Sequence, residues 1–184
     1  IVNAWLGQIY DKDIAFRTHE QKRPWPPVET TDVLGGVVHE GGRFKVFTET
    51  VVHGHGIDFP GAFKHRWVCL GYRVEAEGHV VAISGDCVAC DGLDRLARDA
   101  SALVQCCYLA RSEISTPAMK SLARETLACA DTVGQIASRA RVRKLVLTHF
   151  RQKPDEVCTE ILRDVAHDYA GSVVLGKDLT TIVV

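Results

Sequence analysis

The chain has no excess of charge of either sign. Its 22 Lys+Arg face 23 Asp+Glu over 184 residues, a formal net charge of −1. Neutralising phosphates needs a basic surface, so this balance argues against nucleic acid as a partner. No apolar run approaches the ~18 residues of a spanning helix, which argues against a membrane partner. Internal repeats, low-complexity linkers and sustained heptads are also lacking, so 1–184 reads as one unit. An initiator Met is missing as well, since the chain begins at Ile1 with no signal-peptide pattern. A segment upstream is therefore expected.

What is present is the composition of a globular chain with a real core: 46% hydrophobic and 24% charged. The seven cysteines are an odd number, at Cys69, Cys87, Cys90, Cys106, Cys107, Cys129 and Cys158. Disulfide scaffolds are shorter and denser in Cys, so a reduced, cytoplasmic compartment fits better. Cys87-Val88-Ala89-Cys90 has the CxxC spacing of a zinc ribbon, but the second pair such ribbons need is absent. Buried structural thiols are expected instead.

Apolar periodicity changes along the chain. A loosely periodic helix is predicted over 4–16, and the prolines of QKRPWPP (21–27) end it. Period two then takes over, predicting strands at 33–40, 44–52, 68–76 and 79–84, the last two joined by Glu77-Gly78. Beyond Asp86 helices and short apolar strands alternate. Helices are predicted at 92–99, 131–141 and 154–169, with strands at 102–106, 144–147, 172–175 and 180–184. Hairpins followed by this alternation predict an α/β protein with a layered sheet covered by helices.

Three polar residues stand where apolar strands end: His53 in VVHGHG, Asp86 in VVAISGD and His149 in KLVLTHF. A strand end presents a ligand from a rigid edge. Imidazole nitrogen and carboxylate oxygen suit zinc or manganese. His55 rivals His53, because residues i and i+2 share a strand face. Periodicity alone does not show that the three converge.

The succession VVHG, LGYRVEAEGHVVAISGD and KLVLTHF resembles the second half of a metallo-β-lactamase-fold hydrolase, in the ribonuclease Z and arylsulfatase-like branch. The resemblance runs from about Asp13 to the C-terminus. It implies an αββα sandwich whose first lobe precedes residue 1, with two metal ions sharing a hydroxide at its lip. Those ions are usually zinc, with manganese or iron as alternatives. His53 would then complete the first metal's ligands, Asp86 would bridge the ions as the catalytic carboxylate, and His149 would serve the second metal. The long stretch from His53 to Gly71 carries His55, Phe59, Phe63, His65 and Trp67 as candidate walls of a substrate pocket, and packing of its aromatic residues on the first lobe is the equal alternative.

The chain also departs from that family. Its HxHxDH motif, which supplies four ligands, is absent, leaving three of the seven usual ligand positions. The helper histidine that assists the leaving group corresponds to Leu127, and the HEA of relatives corresponds to Gln105-Cys106-Cys107. Leucine can neither donate a proton nor hydrogen-bond an oxyanion. The protruding basic arm that grips tRNA finds no room in the tight hairpin at 73–84. The cluster Arg139, Arg141, Arg143 and Lys144 reads as a solvated helix end. The expected function is therefore metal-dependent hydrolysis of a small ester, lactone or phosphodiester. A degenerate packing or dimerisation module, as in a homodimer, is the alternative. A tRNA 3′-processing endonuclease is the weaker one.

Overall fold

The structure, a computed structural model, describes residues 8–21 and 29–184. It divides into two compact units, 1–33 and 34–184. In the first, helix α1 spans Asp11–Gln21, displaced along the chain from the predicted 4–16, of which residues 1–7 lie outside the described residues. Two aspartates, Asp11 and Asp13, open α1, where the positive end of the helix dipole favours them. The proline-rich 22–28 also lies outside the described residues.

The second unit is built on one seven-stranded sheet whose spatial order follows the sequence. Strands β1 (Gly36–Gly41), β2 (Phe44–Thr50), β3 (Leu70–Ala76) and β4 (His79–Ile83) form an antiparallel meander. From β4 onward pairing is parallel, through β5 (Ala102–Cys106), β6 (Lys144–Thr148) and β7 (Ser172–Leu175). The β3–β4 link is two residues, Glu77 and Gly78, both at positive φ. That is the turn whose twist matches the strands, and it leaves no arm there. The predicted strand at 180–184 does not form. Thr180 and Ile182 instead flank a cavity of about 500 Å³ beside Val104 and Val146.

Helices α2 (Gly61–Lys64), α3 (Asp91–Ala97), α4 (Pro117–Glu125), α5 (Ala130–Arg139) and α6 (Asp155–Asp168) connect and cover the strands. Register puts Ala82, Leu103, Leu145 and Val173 in one row across β4 to β7. The first three are fully buried in the same core as Leu93, Leu96, Val133, Ile136, Ile161 and Val165 of α3, α5 and α6. Those helix residues recur at three- and four-residue spacing, the stripe a helix lays on a sheet. The opposite face carries a second apolar row, Tyr72, Ile83, Val104, Val146 and Val174. Tyr72 and Ile83 there are 38% and 40% exposed. A two-sheet sandwich buries such a row against its second sheet, which is not among the described residues.

All seven cysteines are free thiols, and Cys87, Cys106, Cys107 and Cys129 are buried. A hydrogen bond to Cys106 and burial push the Cys87 thiol far up. Burial raises Cys107 in the same direction and holds Cys129 at about 11. Cys87, Cys107 and Cys129 are packing thiols, as expected, whereas hydrogen bonding with Cys87 draws the Cys106 thiol down to about 7 against its burial.

Candidate metal edge

Because β3 runs against both neighbours, β2 and β4 point the same way, as do β5, β6 and β7. The chain therefore leaves β2, β4 and β6 at one edge of the sheet, and His53, Asp86 and His149 all follow at that edge. Carboxyl ends of parallel strands are where α/β sheets gather ligands.

Asp86 and His149 meet: His149 Nδ1 lies 2.7 Å from Asp86 Oδ1. Both side chains are nearly half exposed, so the pair faces solvent. The backbone is bent to reach this arrangement. Gly85 sits at φ +62°, and a Cβ there would meet the Leu70 carbonyl oxygen at 2.9 Å. His149 itself is left-handed at φ +58°, a conformation that costs a non-glycine residue of order 1–3 kcal/mol. Immediately behind Asp86, the Cys87 N–H donates to Cys106 Sγ and the Cys106 thiol donates to the Cys87 carbonyl. These bonds pin the loop to the end of β5.

His53 is held from two other directions. Helix α4 starts at Thr116, whose hydroxyl caps Met119 N–H, with Pro117 in its first turn. Its last carbonyls lack helical partners. Gly54 N–H donates to Glu125 O at 2.6 Å, and His53 Nδ1 donates to Thr126 O at 2.8 Å. A carbonyl only accepts, so Nδ1 carries the hydrogen and Nε2 of the neutral ring keeps its lone pair. Trp67 completes the clamp. Its indole N–H donates to His53 O at 2.6 Å, and its ring stacks on the imidazole at 6.1 Å.

His55 is exposed, and its Nδ1 accepts from His53 N–H at 3.0 Å. His65 is exposed at the end of α2. Phe59, Phe63 and Trp67 form one aromatic cluster with centroids 5.0–6.0 Å apart. Among the described residues, no three His, Cys, Asp or Glu side chains form a group able to hold a metal ion. Asp86 and His149 therefore form a pair of donors from which His53 stands apart. The pair suits a metal in donor type, but it falls short of the three protein ligands catalytic zinc takes.

Leu127, the residue that the resemblance matches to the helper histidine, is buried in the core at 6% exposure. No histidine occurs anywhere from Cys90 to Thr148, so a shift of alignment does not restore one. Two members of the basic cluster are engaged in ion pairs, Arg139 with Asp94 and Arg141 with Asp99. Two neighbours of the edge escaped the sequence reading. The Tyr108 ring packs against His149 at 5.8 Å, and the Arg151 guanidinium lies over Tyr108 at 5.4 Å. Their only signal was position, just past β5 and just past His149.

No family model matches the chain. Over 149 residues it is 33% identical to a ribonuclease Z of Mycolicibacterium gilvum, covering 78% of this chain and 48% of that protein. Over 189 aligned positions it is 32% identical to a ribonuclease Z homologue of Mycobacterium tuberculosis (strain CDC 1551 / Oshkosh), covering 97% of this chain and 77% of that protein. The chain belongs to the ribonuclease Z family. It spans 63% of the ribonuclease Z of Mycobacterium tuberculosis strain H37Rv and about half of the first relative named. Among solved structures it is similar to the metallo-β-lactamase fold protein YhfI from Bacillus subtilis, with a TM-score of 0.57 and 17% identity over 76% of this chain and 49% of that one. It is also similar to the short form of human tRNase Z, with a TM-score of 0.56 and 21% identity over 81% of this chain and 45% of that one. The fold is accordingly that of the metallo-β-lactamase proteins. The names of these family members stand against the expectation, drawn from the balanced charge and the missing arm, that nucleic acid is not a partner. No helix among the described residues is long and apolar enough to cross a membrane.

Proposed function

We propose that this chain contributes Asp86, His149 and His53 to the active site of a metal-dependent hydrolase that cleaves a phosphodiester. The observation that carries the reading is the meeting of Asp86 and His149 at 2.7 Å, each delivered by the carboxyl end of its own strand. The remaining metal donors come from outside the described residues. A bound metal supplies a water of lowered pKa and polarises the scissile phosphoryl oxygen. Asp86 offers the anionic oxygen, and His149 and His53 each keep Nε2 free while Nδ1 is engaged. Of the ester, lactone and phosphodiester readings, the last agrees with the ribonuclease names of the relatives. With Leu127 unable to protonate a leaving group, good leaving groups are favoured.

The test uses the protein encoded by the complete reading frame, supplied with zinc or manganese. Hydrolysis of bis(4-nitrophenyl) phosphate is compared with that of 4-nitrophenyl acetate. Phosphodiester turnover that Asp86→Asn abolishes supports the reading. Absence of metal uptake and of turnover on both substrates would overturn it in favour of a packing module.

A further inference from the structure

We infer that the segment 59–67 is a stacking site for a nucleobase of single-stranded RNA, with Phe63 as its exposed platform and Lys64 and Arg66 as its phosphate contacts. Three rings form a ladder. Phe63 stacks on Trp67 at 5.2 Å and 30°, and Trp67 stacks on His53 at 6.1 Å and 21°. The inner rung is a residue of the metal edge, and the outer rung is 42% exposed. An apolar ring of this size left in solvent beside a polar edge offers a π-face to a planar ligand. The ladder is rigid, because Phe59 braces Phe63 at 5.0 Å and the Trp67 indole is fastened to the His53 carbonyl.

The sequence across the platform is Phe63-Lys64-His65-Arg66-Trp67, cations interleaved with aromatics. Lys64 and Arg66 are exposed, and among the described residues neither pairs with a carboxylate. Elsewhere in this unit half of the cations do, Arg73, Arg95, Arg139 and Arg141 among them. A backbone-tracking cation beside an aromatic platform is how single strands are held without reading their sequence. The net charge of −1 is a sum over the whole chain and does not reveal this local arrangement, two unpaired cations set among aromatic rings. The inference rests on the hydrolase reading only for placing the cleaved bond near the stacked base.

The experiment replaces Trp5 and Trp25 by Phe, so that fluorescence reports Trp67 alone. The whole chain is titrated with a short oligouridylate and with its abasic counterpart of equal charge. The expected result is quenching and affinity roughly tenfold or more tighter for the intact strand. Phe63→Leu keeps the apolar packing on Phe59 and Trp67, and it is expected to erase that preference, while Phe63→Tyr retains it. Replacing Lys64 and Arg66 together by Ala is expected to reduce the slope of log affinity against log salt by about 1.4. Equal affinity for the two strands, or an unchanged preference in Phe63→Leu, overturns the inference. Base preference in this chain, with no hydrolysis by the metal-supplied protein from the complete reading frame, leaves this site standing and removes the hydrolase reading. Hydrolysis without base preference does the reverse.

Discussion

His149 Nδ1 and Asp86 Oδ1 lie 2.7 Å apart although their strands, β6 and β4, are separated by β5. Two exposed loops have to cross the end of that middle strand to bring them together, and each crosses with a left-handed residue, Gly85 or His149. Strain of this kind persists where the surrounding structure over-determines it, and it concentrates at functional sites.

Asp86→Asn separates function from stability at this pair. The amide still accepts from His149 Nδ1, so the geometry is kept and the charge is lost. With side chains 46% and 44% exposed, this contact contributes at most about 1 kcal/mol to folding. Urea unfolding of the variant is expected to fall within that margin. Zinc affinity of the protein from the complete reading frame is expected to drop at least roughly tenfold. Unchanged zinc affinity in a calorimetric titration would remove Asp86 from the ligand set.

Gly134→Ala sets two effects against each other. Alanine in the interior of α5 gains about 1 kcal/mol of helix propensity over glycine. At this position, however, a Cβ would lie 2.5 Å from the Val165 carbonyl oxygen and 3.2 Å from Asp168 Cβ, both on α6. Separating two packed helices to make room costs roughly 1–3 kcal/mol. Because the first obstacle is backbone, overpacking is expected to win, and thermal unfolding should show a lower midpoint. A higher midpoint would mean that α6 yields freely.

Lys153 and Glu113 give an asymmetric pair. The Lys153 side chain is 5% exposed and reaches both Glu113 oxygens, at 2.9 and 2.6 Å, while Glu113 is 34% exposed. Glu113 also accepts from Ala110 N–H at 2.8 Å. Glu113→Ala leaves a buried ammonium and a backbone donor without their partner, and the expected cost is about 2–3 kcal/mol. Lys153→Met keeps the buried stem and leaves a carboxylate that water can reach, so a loss below about 1 kcal/mol is expected. Equal losses in denaturant unfolding would refute this asymmetry.

The elements most legible in the sequence are those whose periodicity and boundary agree. Strand β5 at 102–106 and strand β7 at 172–175 match their predicted bounds. Asp86 and His149 were visible because each is the polar residue that follows a short apolar run. The bond that fixes His53 was not visible, because Thr126 offers only a main-chain carbonyl, and only the fold brings it near. Helix α4 was overlooked although Thr116-Pro117 is a start signal, because it is short and the small Ala123 is its only buried residue. The run 180–184 misled in the opposite direction. Its residues favour a strand, but propensity needs a pairing partner. Here the Val183 carbonyl accepts instead from the Lys144 ammonium.

Asp131 sets the sign of a pH dependence. Burial holds its carboxyl above the ordinary 3.8, a bond from its own backbone N–H and the charge of Arg111 oppose the rise, and Asp164 adds to it. Its Oδ1 is buried with no hydrogen-bond partner among the described residues. A carboxyl whose folded pKa is raised favours folding below its unfolded pKa, and that contribution is lost as pH rises through the folded value. At neutral pH the native state therefore carries an ionised, poorly solvated carboxylate. Asp131→Asn removes the charge and keeps the shape. The variant is expected to gain stability relative to the parent at pH 7, and the gain should shrink as pH falls through the folded pKa and end below 3.8. Other titrating groups are common to both proteins and cancel in the difference. Parallel thermal melts across that window measure it. A gain that stays constant down to the most acid pH would show that Asp131 acts through shape alone, and a loss at pH 7 would show that its charge at the α5 N-terminus outweighs its burial.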